Sequence, residues 1–316
     1  MRIAVLGKIG SVIQWLEACA GALRAEGHDV HVGSTRNPAL HRSIERGLLS
    51  ERIGAPMAAG IARGVRRFAP DLILVIGPYE IPFAILERVA AIPGRAALFG
   101  WIGDVFSQRS ERVADLFDVM AYTDSGLVSR HRLLGFRPPA VYLPHAANPH
   151  AAPGKRVQRR DMMVFVANPT DHRRAVIEAV TQPLVIYGPA WARTGVGHET
   201  HARRVSSREL PALYAGHLAA LNIRNELNVL FGLNQRNFDP YLLGTPVVTD
   251  DQPDLAACFD EGDEAFVYRG PEELNDLYAR LRRDPLLAAA VGERGRKRVL
   301  ADHTYSRRLE TLAALA

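Results

Sequence analysis

The chain has 316 residues, of which 47% are hydrophobic and 23% are charged. This length and composition predict two globular domains of about 150 residues each. With only two cysteines, Cys19 and Cys258, a disulfide framework and a thiolate metal site are excluded. The sequence shows no signal peptide and no run of the roughly 18 to 20 apolar residues that a membrane span needs, so we expect a cytoplasmic protein.

The net charge of +5 is unevenly distributed. Residues 1–155 hold 18 Lys and Arg against 13 Asp and Glu, whereas residues 156–316 hold 21 of each. A basic first half would suit an anionic acceptor or a peripheral position at the inner face of a membrane. Scattered solvated arginines explain it equally well. No interleaving of basic and aromatic residues indicates nucleic-acid binding.

In the first half, short apolar runs alternate with amphipathic segments of helical length, which is typical of a parallel sheet covered by helices. Strands are predicted at Ile3–Leu6, Val30–Gly33, Leu72–Ile76, Ala97–Trp101, Val119–Tyr122 and Val141–Leu143. Helices are predicted at Ser11–Glu26, Pro38–Ser50, Ala55–Phe68, Ile81–Ala90, Ser110–Phe117 and Ser125–Leu134.

The segment from Asn148 to Arg156 breaks this alternation with two prolines and a glycine, which indicates a linker. A second alternation follows. Its predicted strands are Met162–Ala167, Leu184–Tyr187, Ala219–Ile223, Pro246–Thr249 and Ala265–Val267. Its predicted helices are Asp171–Thr181, Ser207–Ala215, Asn234–Leu243, Pro253–Phe259, Pro271–Arg283, Pro285–Leu300 and Ser306–Leu315. We therefore predict two doubly wound α/β domains, 1–150 and 151–316, with the final helix able to pack back on the first.

The segment around residues 232–239 carries the clearest chemical pattern. Gly232 precedes a predicted helix N-terminus, whose free N–H groups and positive dipole end suit a diphosphate. Arg236 would neutralise phosphate charge, and Asp239, three residues later on the same helical face, would accept hydrogen bonds from sugar hydroxyls. The alternative is that Arg236 and Asp239 only pair with each other.

Residues 219 to 310 resemble the donor half of CgeB-like glycosyltransferases, within the broader GT-B group. The resemblance rests on a series of short motifs in the family's order: Gly232 with Asn234, Arg236-Asn237-Phe238-Asp239, Gly244, Asp250-Asp251, Glu264-Ala265-Phe266-Val267-Tyr268, Glu273-Leu274 and His303-Thr304-Tyr305. Upstream, Phe165-Val166-Ala167-Asn168 with Arg173-Arg174, and Ile186-Tyr187-Gly188, are also similar to the family. The first half resembles it only in layout.

The resemblance implies a GT-B fold, in which two Rossmann-like domains face a central cleft. It implies a metal-independent glycosyltransferase that needs no cofactor beyond its co-substrate, a nucleotide-diphosphate sugar. The first domain would hold an unidentified acceptor and the second the donor. Donor-binding positions would be Asn168, Tyr187, Gly188, Asn222, Arg224, Gly232, Asn234, Arg236 and Asp239, with the base near Tyr187 and Gly188, the ribose on Asp239, and the diphosphate on Asn234 and Arg236.

Two departures from the family pattern concern the donor. Asp239 stands where the family has a Glu that resembles a ribose-binding carboxylate. Relatives with a Glu-x7-Glu pair carry another glutamate eight residues earlier, where this chain has Phe231. The identity of the transferred sugar therefore does not carry over.

The first half offers candidates for the acceptor side. The loop Gly7, Lys8 and Gly10 follows the first strand and suits a phosphate or acceptor, although a strand–helix turn that needs glycine is the simpler explanation. Asp104 follows another strand and is our first candidate for the base that activates the acceptor, the alternative being an N-cap. His145 is a second candidate. Adjacent Asp250 and Asp251 lack a third ligand, so we predict no metal site.

Two other functions remain open from the sequence. A nucleotide-sugar epimerase of the same fold would share the donor site and need no acceptor. A non-catalytic CgeB-like protein of a cell-surface or spore layer would bind no nucleotide.

Overall fold

The computed structural model describes residues 1–7, 13–34, 50–151 and 158–316. These residues divide into two compact units: Met1–Leu143 together with Tyr305–Ala316, and Pro144–Thr304. The first boundary thus falls after Leu143, ahead of the Pro- and Gly-containing segment at which the sequence analysis divides the chain. Within the described residues, no helix combines the length and apolarity that crossing a bilayer requires.

The first unit contains a six-stranded sheet in the order β2-β1-β3-β4-β5-β6, with every pair parallel. Its strands are β1 (Arg2–Gly7), β2 (Asp29–Ser34), β3 (Leu72–Ile76), β4 (Leu98–Ile102), β5 (Val119–Tyr122) and β6 (Ala140–Tyr142). Its helices before the second unit are α1 (Ile13–Ala25), α2 (Ser50–Phe68), α3 (Phe83–Ala90), α4 (Glu111–Ala114) and α5 (Ser125–Leu133).

The second unit contains another parallel sheet, in the order β12-β11-β10-β7-β8-β9. Its strands are β7 (Arg160–Val166), β8 (Leu184–Tyr187), β9 (Glu199–His201), β10 (His217–Asn222), β11 (Val247–Asp250) and β12 (Phe266–Tyr268). Its helices are α6 (Asp171–Glu178), α7 (Leu210–Ala215), α8 (Pro271–Arg283) and α9 (Pro285–Asp302). The last helix, α10 (Tyr305–Ala313), belongs to the first unit.

The doubly wound α/β class is confirmed, and every predicted strand is present within two residues of its predicted ends. Parallel strands covered on both faces consist of nearly continuous apolar residues, which makes them recognisable in a sequence. The five residues of β3, for example, are all buried. The predicted helix Pro38–Ser50 lies outside the described residues except for Ser50, which begins α2.

Other predicted helices are wrong in type or length. Asn234–Leu243 forms two separate 3-10 turns, Gln235–Asn237 and Asp239–Leu243, instead of one α-helix. Pro240 explains the difference, because a proline has no N–H to donate to the carbonyl four residues earlier. Pro253–Phe259 contains only a short 3-10 turn, Leu255–Ala257. Ser110–Phe117 contains a helix of only four residues, α4.

Candidate functional site

The strand order of the second sheet locates its binding crevice. Seen from the central pair β7 and β10, the chain runs outward to β8 and β9 on one side and to β11 and β12 on the other. In such sheets, ligands bind beyond the carboxyl ends of the strands at the point where the order reverses. The segments that follow β7 and β10 therefore define the candidate site.

Asn222, the last residue of β10, organises this site. Its side chain is fully buried, and its Nδ2 donates to Thr249 Oγ1 at 3.0 Å. Its Oδ1 accepts from Asn234 Nδ2 at 2.9 Å and from Arg236 Nε at 3.3 Å. Because both ends of the amide are engaged, Asn222 acts on a ligand only through the residues that it holds.

Arg236 is a partly buried cation without a carboxylate partner among the described residues. Its backbone N–H donates to Asn234 Oδ1 at 2.9 Å, so Asn234 caps the first 3-10 turn. Burial lowers the pKa of the guanidinium. In the part of the chain that the structure describes, its terminal nitrogens donate to no protein group, which leaves them available for an anion.

Asp239 begins the second 3-10 turn and is also partly buried. Gln235 Nε2 donates to its Oδ1 at 2.8 Å. Burial raises the pKa of Asp239 to about 7, although the bond from Gln235 and the charge of Arg236 lower it. Within the described residues no hydrogen bond reaches Oδ2 and no ion pair of 4 Å or less joins Asp239 to Arg236, so the pairing alternative is wrong.

A second cation, Arg173 of α6, lies in the same region. Its side chain is buried, with Nε donating to Ile223 O and Nη1 donating to Asn168 O, both at 3.1 Å. Burial and then the charge of Arg236 lower its pKa to about 10. Because the charge of Arg236 disfavours the charged form of Arg173, the two guanidinium groups create a positive region that a bound anion would stabilise.

The neighbouring acidic residues are bound to arginines. Asp250 accepts from the backbone N–H of Arg224 at 3.2 Å, and its carboxylate lies 3.6 Å from Arg224 Nε. Asp251 lies 3.3 Å from Arg269 Nε. Among the described residues, no group of three or more His, Cys, Asp and Glu is placed to hold a metal ion.

Tyr187 and Gly188 lie together at the carboxyl end of β8. The Tyr187 ring is stacked on His201 with centroids 4.4 Å apart, and Arg203 lies over the same ring. Gly188 donates its N–H to His201 O at 3.1 Å, and a Cβ there would lie 2.3 Å from Ala167 O. Since no larger residue fits, this glycine is required by packing whatever else it contacts.

The remaining donor candidates lie around this centre. Asn168 is exposed just after β7, and Gly232 is buried in the loop ahead of the first 3-10 turn. Arg224 is held by Asp250. The predicted helix N-terminus is corrected: a 3-10 turn of three residues carries the Asn234 cap and has no α-helical dipole behind it.

The acceptor-side candidates fall in different places. Gly7 ends β1, and a Cβ there would meet Leu16 at 3.1 Å, whereas Lys8 and Gly10 lie outside the described residues. Asp104 is exposed after β4, and Ser107 occupies the N-cap position of the following 3-10 turn, so Asp104 is not its N-cap. His145 is buried and belongs to the second unit.

Sequence reasoning missed several residues of the site. Arg173 entered it only as part of a motif, while Gln235 and Tyr214 did not enter it at all. Tyr214 is buried, its hydroxyl finds no partner within the described residues, and the charges of Asp239 and Arg236 act on it. No local pattern could have revealed it, because α7 reaches the site through tertiary packing.

Residues 170–314, less than half of the chain, match the family described as glycosyl transferase-like. No curated protein matches the sequence.

Solved structures give the fold of the whole chain. Anabaena HepE in complex with UDP and glucose is similar with a TM-score of 0.69 at 14% identity, over 100% of this chain and 99% of that one. A sucrose-phosphate synthase from Thermosynechococcus elongatus has a TM-score of 0.67 at 12% identity, over 100% of this chain and 98% of that one. A glycosyltransferase from Rickettsia africae has a TM-score of 0.67 at 10% identity, over 99% of this chain and 97% of that one. The chain has the GT-B fold.

Proposed function

We propose that the protein is a glycosyltransferase that moves a sugar from a nucleotide-diphosphate donor to an acceptor. One observation carries the proposal: partly buried Arg236, with buried Arg173 near it, has no carboxylate partner in the described residues and acts on Asp239, whose second oxygen is unengaged there. The site suits a molecule that joins an anionic group to neighbouring hydroxyls. The glycosyl transferase-like match over residues 170–314 supports the same class of chemistry.

In this proposal the diphosphate binds at Arg236, with Asn234 and Arg173 supporting it. Asp239 Oδ2 accepts the ribose hydroxyls, and the base lies near Tyr187 and Gly188. During transfer the bond between the anomeric carbon and the diphosphate oxygen breaks, and a bond from the acceptor to that carbon forms. The developing negative charge on the diphosphate is stabilised by guanidinium groups that are already in position.

Several finer expectations belong to the same proposal. Asp104 or His145 accepts the acceptor's proton, and Asn168, Arg224 and Gly232 frame the donor. The reaction proceeds without a metal ion, because cationic side chains take the role that a metal would have on the leaving group. The subfamily is CgeB-like, on the motif order alone. The place of action is the cytoplasm, with the basic first half at an anionic acceptor or membrane surface.

A thermal-shift panel of UDP, GDP, TDP, CDP, ADP and NAD tests the proposal on wild type and Asp239→Ala. A ligand present at about 100 times its dissociation constant stabilises the folded state by about 2.7 kcal/mol. We expect one nucleoside diphosphate to stabilise the wild type and the variant to lose that response. No response to any diphosphate, or a response to NAD alone, would contradict the proposal. Consumption of the corresponding nucleotide sugar without an acceptor would indicate an epimerase.

A further inference from the structure

The side-chain amide of Gln235 lies between two oxygen atoms from distant parts of the second unit. Its Nε2 is 2.8 Å from Asp239 Oδ1 and 2.6 Å from the carbonyl oxygen of Ala146. Ala146 is 89 residues away along the chain. The amide therefore joins the Asp239 carboxylate to the segment that opens the second unit.

Chemistry fixes the orientation of this amide. The Ala146 carbonyl can only accept a hydrogen bond, and an ionised Asp239 can only accept one too. The NH2 group must face both, with one hydrogen for each, because the reverse orientation would bring three acceptors together. Gln235 Oε1 is consequently buried without a hydrogen-bond partner in the described part of the chain. A buried acceptor without a partner destabilises the fold, so the two hydrogen bonds that the NH2 group donates must offset this cost.

The segment at the other end of the bridge is itself anchored. The backbone N–H of Ala147 donates to His303 O at 2.8 Å, and the two segments form an isolated parallel bridge between Ala147 and Thr304. His303 Nε2 in turn donates to Cys258 O at 2.9 Å. The backbone hydrogen bonds of the neighbouring residue therefore hold the Ala146 carbonyl, which Gln235 contacts, in position.

We propose that Gln235 is a positioning residue of the donor site, which holds the Asp239 carboxylate against the Ala146 segment and favours its ionised form. This inference rests on the proposed function, in which ionised Asp239 accepts the ribose hydroxyls. An amide N–H stabilises a carboxylate more than the neutral acid, so the bond works against the burial that protonates Asp239.

Two charged or titratable groups act on the carboxylate directly, and others lie on the elements next to it. Arg236 comes from the first 3-10 turn and Tyr214 from α7. Glu293 of α9 lies beside Gly244, at the far end of the turn that Asp239 begins. His145 precedes Ala146. Among these groups, Arg236 is the cation that favours the ionised form of Asp239. Within the described residues, Gln235 is the only hydrogen-bond donor to the Asp239 carboxylate.

The test compares wild type with Gln235→Met, which keeps the length of the side chain and removes its donor. Gln235→Glu is the second variant, because it places a carboxylate against Asp239. Gln252→Met is the matched control: Gln252 is another buried amide of the second unit, and it donates to Thr249 and Asp250 instead. Circular dichroism and melting curves establish that each variant is folded.

The first measurement needs no ligand. The 13C titration of the Asp239 carboxyl, assigned as the signal absent from Asp239→Asn, gives the pH at which the group ionises. We expect the midpoint to lie about one pH unit higher in Gln235→Met, higher again in Gln235→Glu, and unchanged in Gln252→Met. A midpoint in Gln235→Met equal to that of wild type would overturn the inference, whether or not the protein binds nucleotides.

The second measurement is the affinity for UDP-glucose between pH 6 and pH 9, where its diphosphate diester does not titrate. A carboxyl that ionises near pH 7 gives wild type an affinity about tenfold higher at pH 8 than at pH 6. Gln235→Met should bind about fivefold more weakly than wild type at pH 7 and recover to within about twofold at pH 9. A loss that is equal at every pH would overturn the ionisation role. No binding by wild type of UDP-glucose or of any nucleoside diphosphate in the thermal-shift panel would contradict the proposed function, while the carboxyl titration would still decide the role of Gln235.

Discussion

The two units each place buried polar side chains at the carboxyl ends of their strands, but only one set is hydrogen-bonded throughout. In the first unit, Tyr79 lies 3.3 Å from the Tyr122 hydroxyl, which donates to His131 Nδ1 at 2.7 Å. His131 Nε2 then donates to Pro138 O at 2.8 Å. Burial lowers the pKa of His131, so the ring is neutral and has one donor and one acceptor, both in use.

The corresponding network of the second unit is incomplete. Within the described residues, Asp239 Oδ2, the terminal nitrogens of Arg236 and the Tyr214 hydroxyl make no hydrogen bond. The Tyr214 hydroxyl is fully buried, and buried polar groups without partners are rare in folded proteins and need an explanation. A complete network stabilises a fold, whereas an incomplete one with charges suits a ligand. The difference distinguishes a structural cluster in the first unit from a candidate binding site in the second.

The largest expected effect on ligand binding comes from removing the positive charge of Arg236. Arg236→Gln should weaken UDP-glucose binding by about 100-fold, because a charge-assisted contact to the diphosphate is worth about 1.5 to 3 kcal/mol. Arg282→Gln is the matched control, since Arg282 is paired with Asp161 at the opposite, amino end of β7. We expect it to lose less than about fivefold. Equal losses by titration calorimetry would contradict the distinction between the two arginines.

Asp239→Asn should make the ligand-free protein more stable above pH 7. The folded pKa of about 7 exceeds the ordinary value of 3.8, so between these values the folded state keeps a proton that the unfolded chain releases. Stability therefore falls as the pH rises toward 7, and the neutral Asn avoids this loss. We expect a gain of about 1 to 3 kcal/mol at pH 8 that vanishes near pH 4, measured by urea denaturation. A gain of the same size at both pH values would refute the electrostatic cause.

Breaking the complete network should cost stability and leave binding intact. Tyr122→Phe leaves His131 Nδ1 buried without its donor, at a cost of about 1 to 3 kcal/mol. The shift in melting temperature that a nucleotide produces should be the same as in wild type. A stable variant that no longer responds to nucleotide would show that this cluster belongs to a binding site.

The smallest effect on stability is expected at Tyr214. Replacing this tyrosine with phenylalanine removes a hydroxyl that has no partner in the described residues. Tyr214→Phe should change the free energy of unfolding by less than about 0.5 kcal/mol, and can raise it, because no bond is lost. The same denaturation experiment as for Tyr122→Phe gives the comparison. A loss as large as that of Tyr122→Phe would mean that the two hydroxyls are equally engaged.

Much of the fold could be predicted because buried parallel strands are apolar throughout. β3, β5 and β8 have the bounds that the sequence predicts. β9 was missed because its residues Glu199, Thr200 and His201 are polar: it is a three-residue edge strand in which Glu199 binds Arg160 and His201. An edge strand of this kind gives no apolar signal.

The site could be predicted only where its chemistry is local in the chain. Arg236 and Asp239 stand out in the sequence as candidates because they are three residues apart beside a glycine-containing loop. The role of Gln235 depends on its bond to Ala146, and the position of Tyr214 depends on the packing of α7. No local sequence pattern could therefore have predicted either residue. The segment around Ala146 looks like the approach to a linker, yet its bonds to Gln235 and His303 make it part of the second unit.

The most direct test of the central claim is a crystal structure of the protein with the nucleoside diphosphate that stabilises it in the thermal-shift panel. The account predicts diphosphate oxygens on the terminal nitrogens of Arg236 and ribose hydroxyls on Asp239 Oδ2, with Asn222 still holding Arg236. A nucleotide bound away from both residues, or none bound at a saturating concentration, would contradict it.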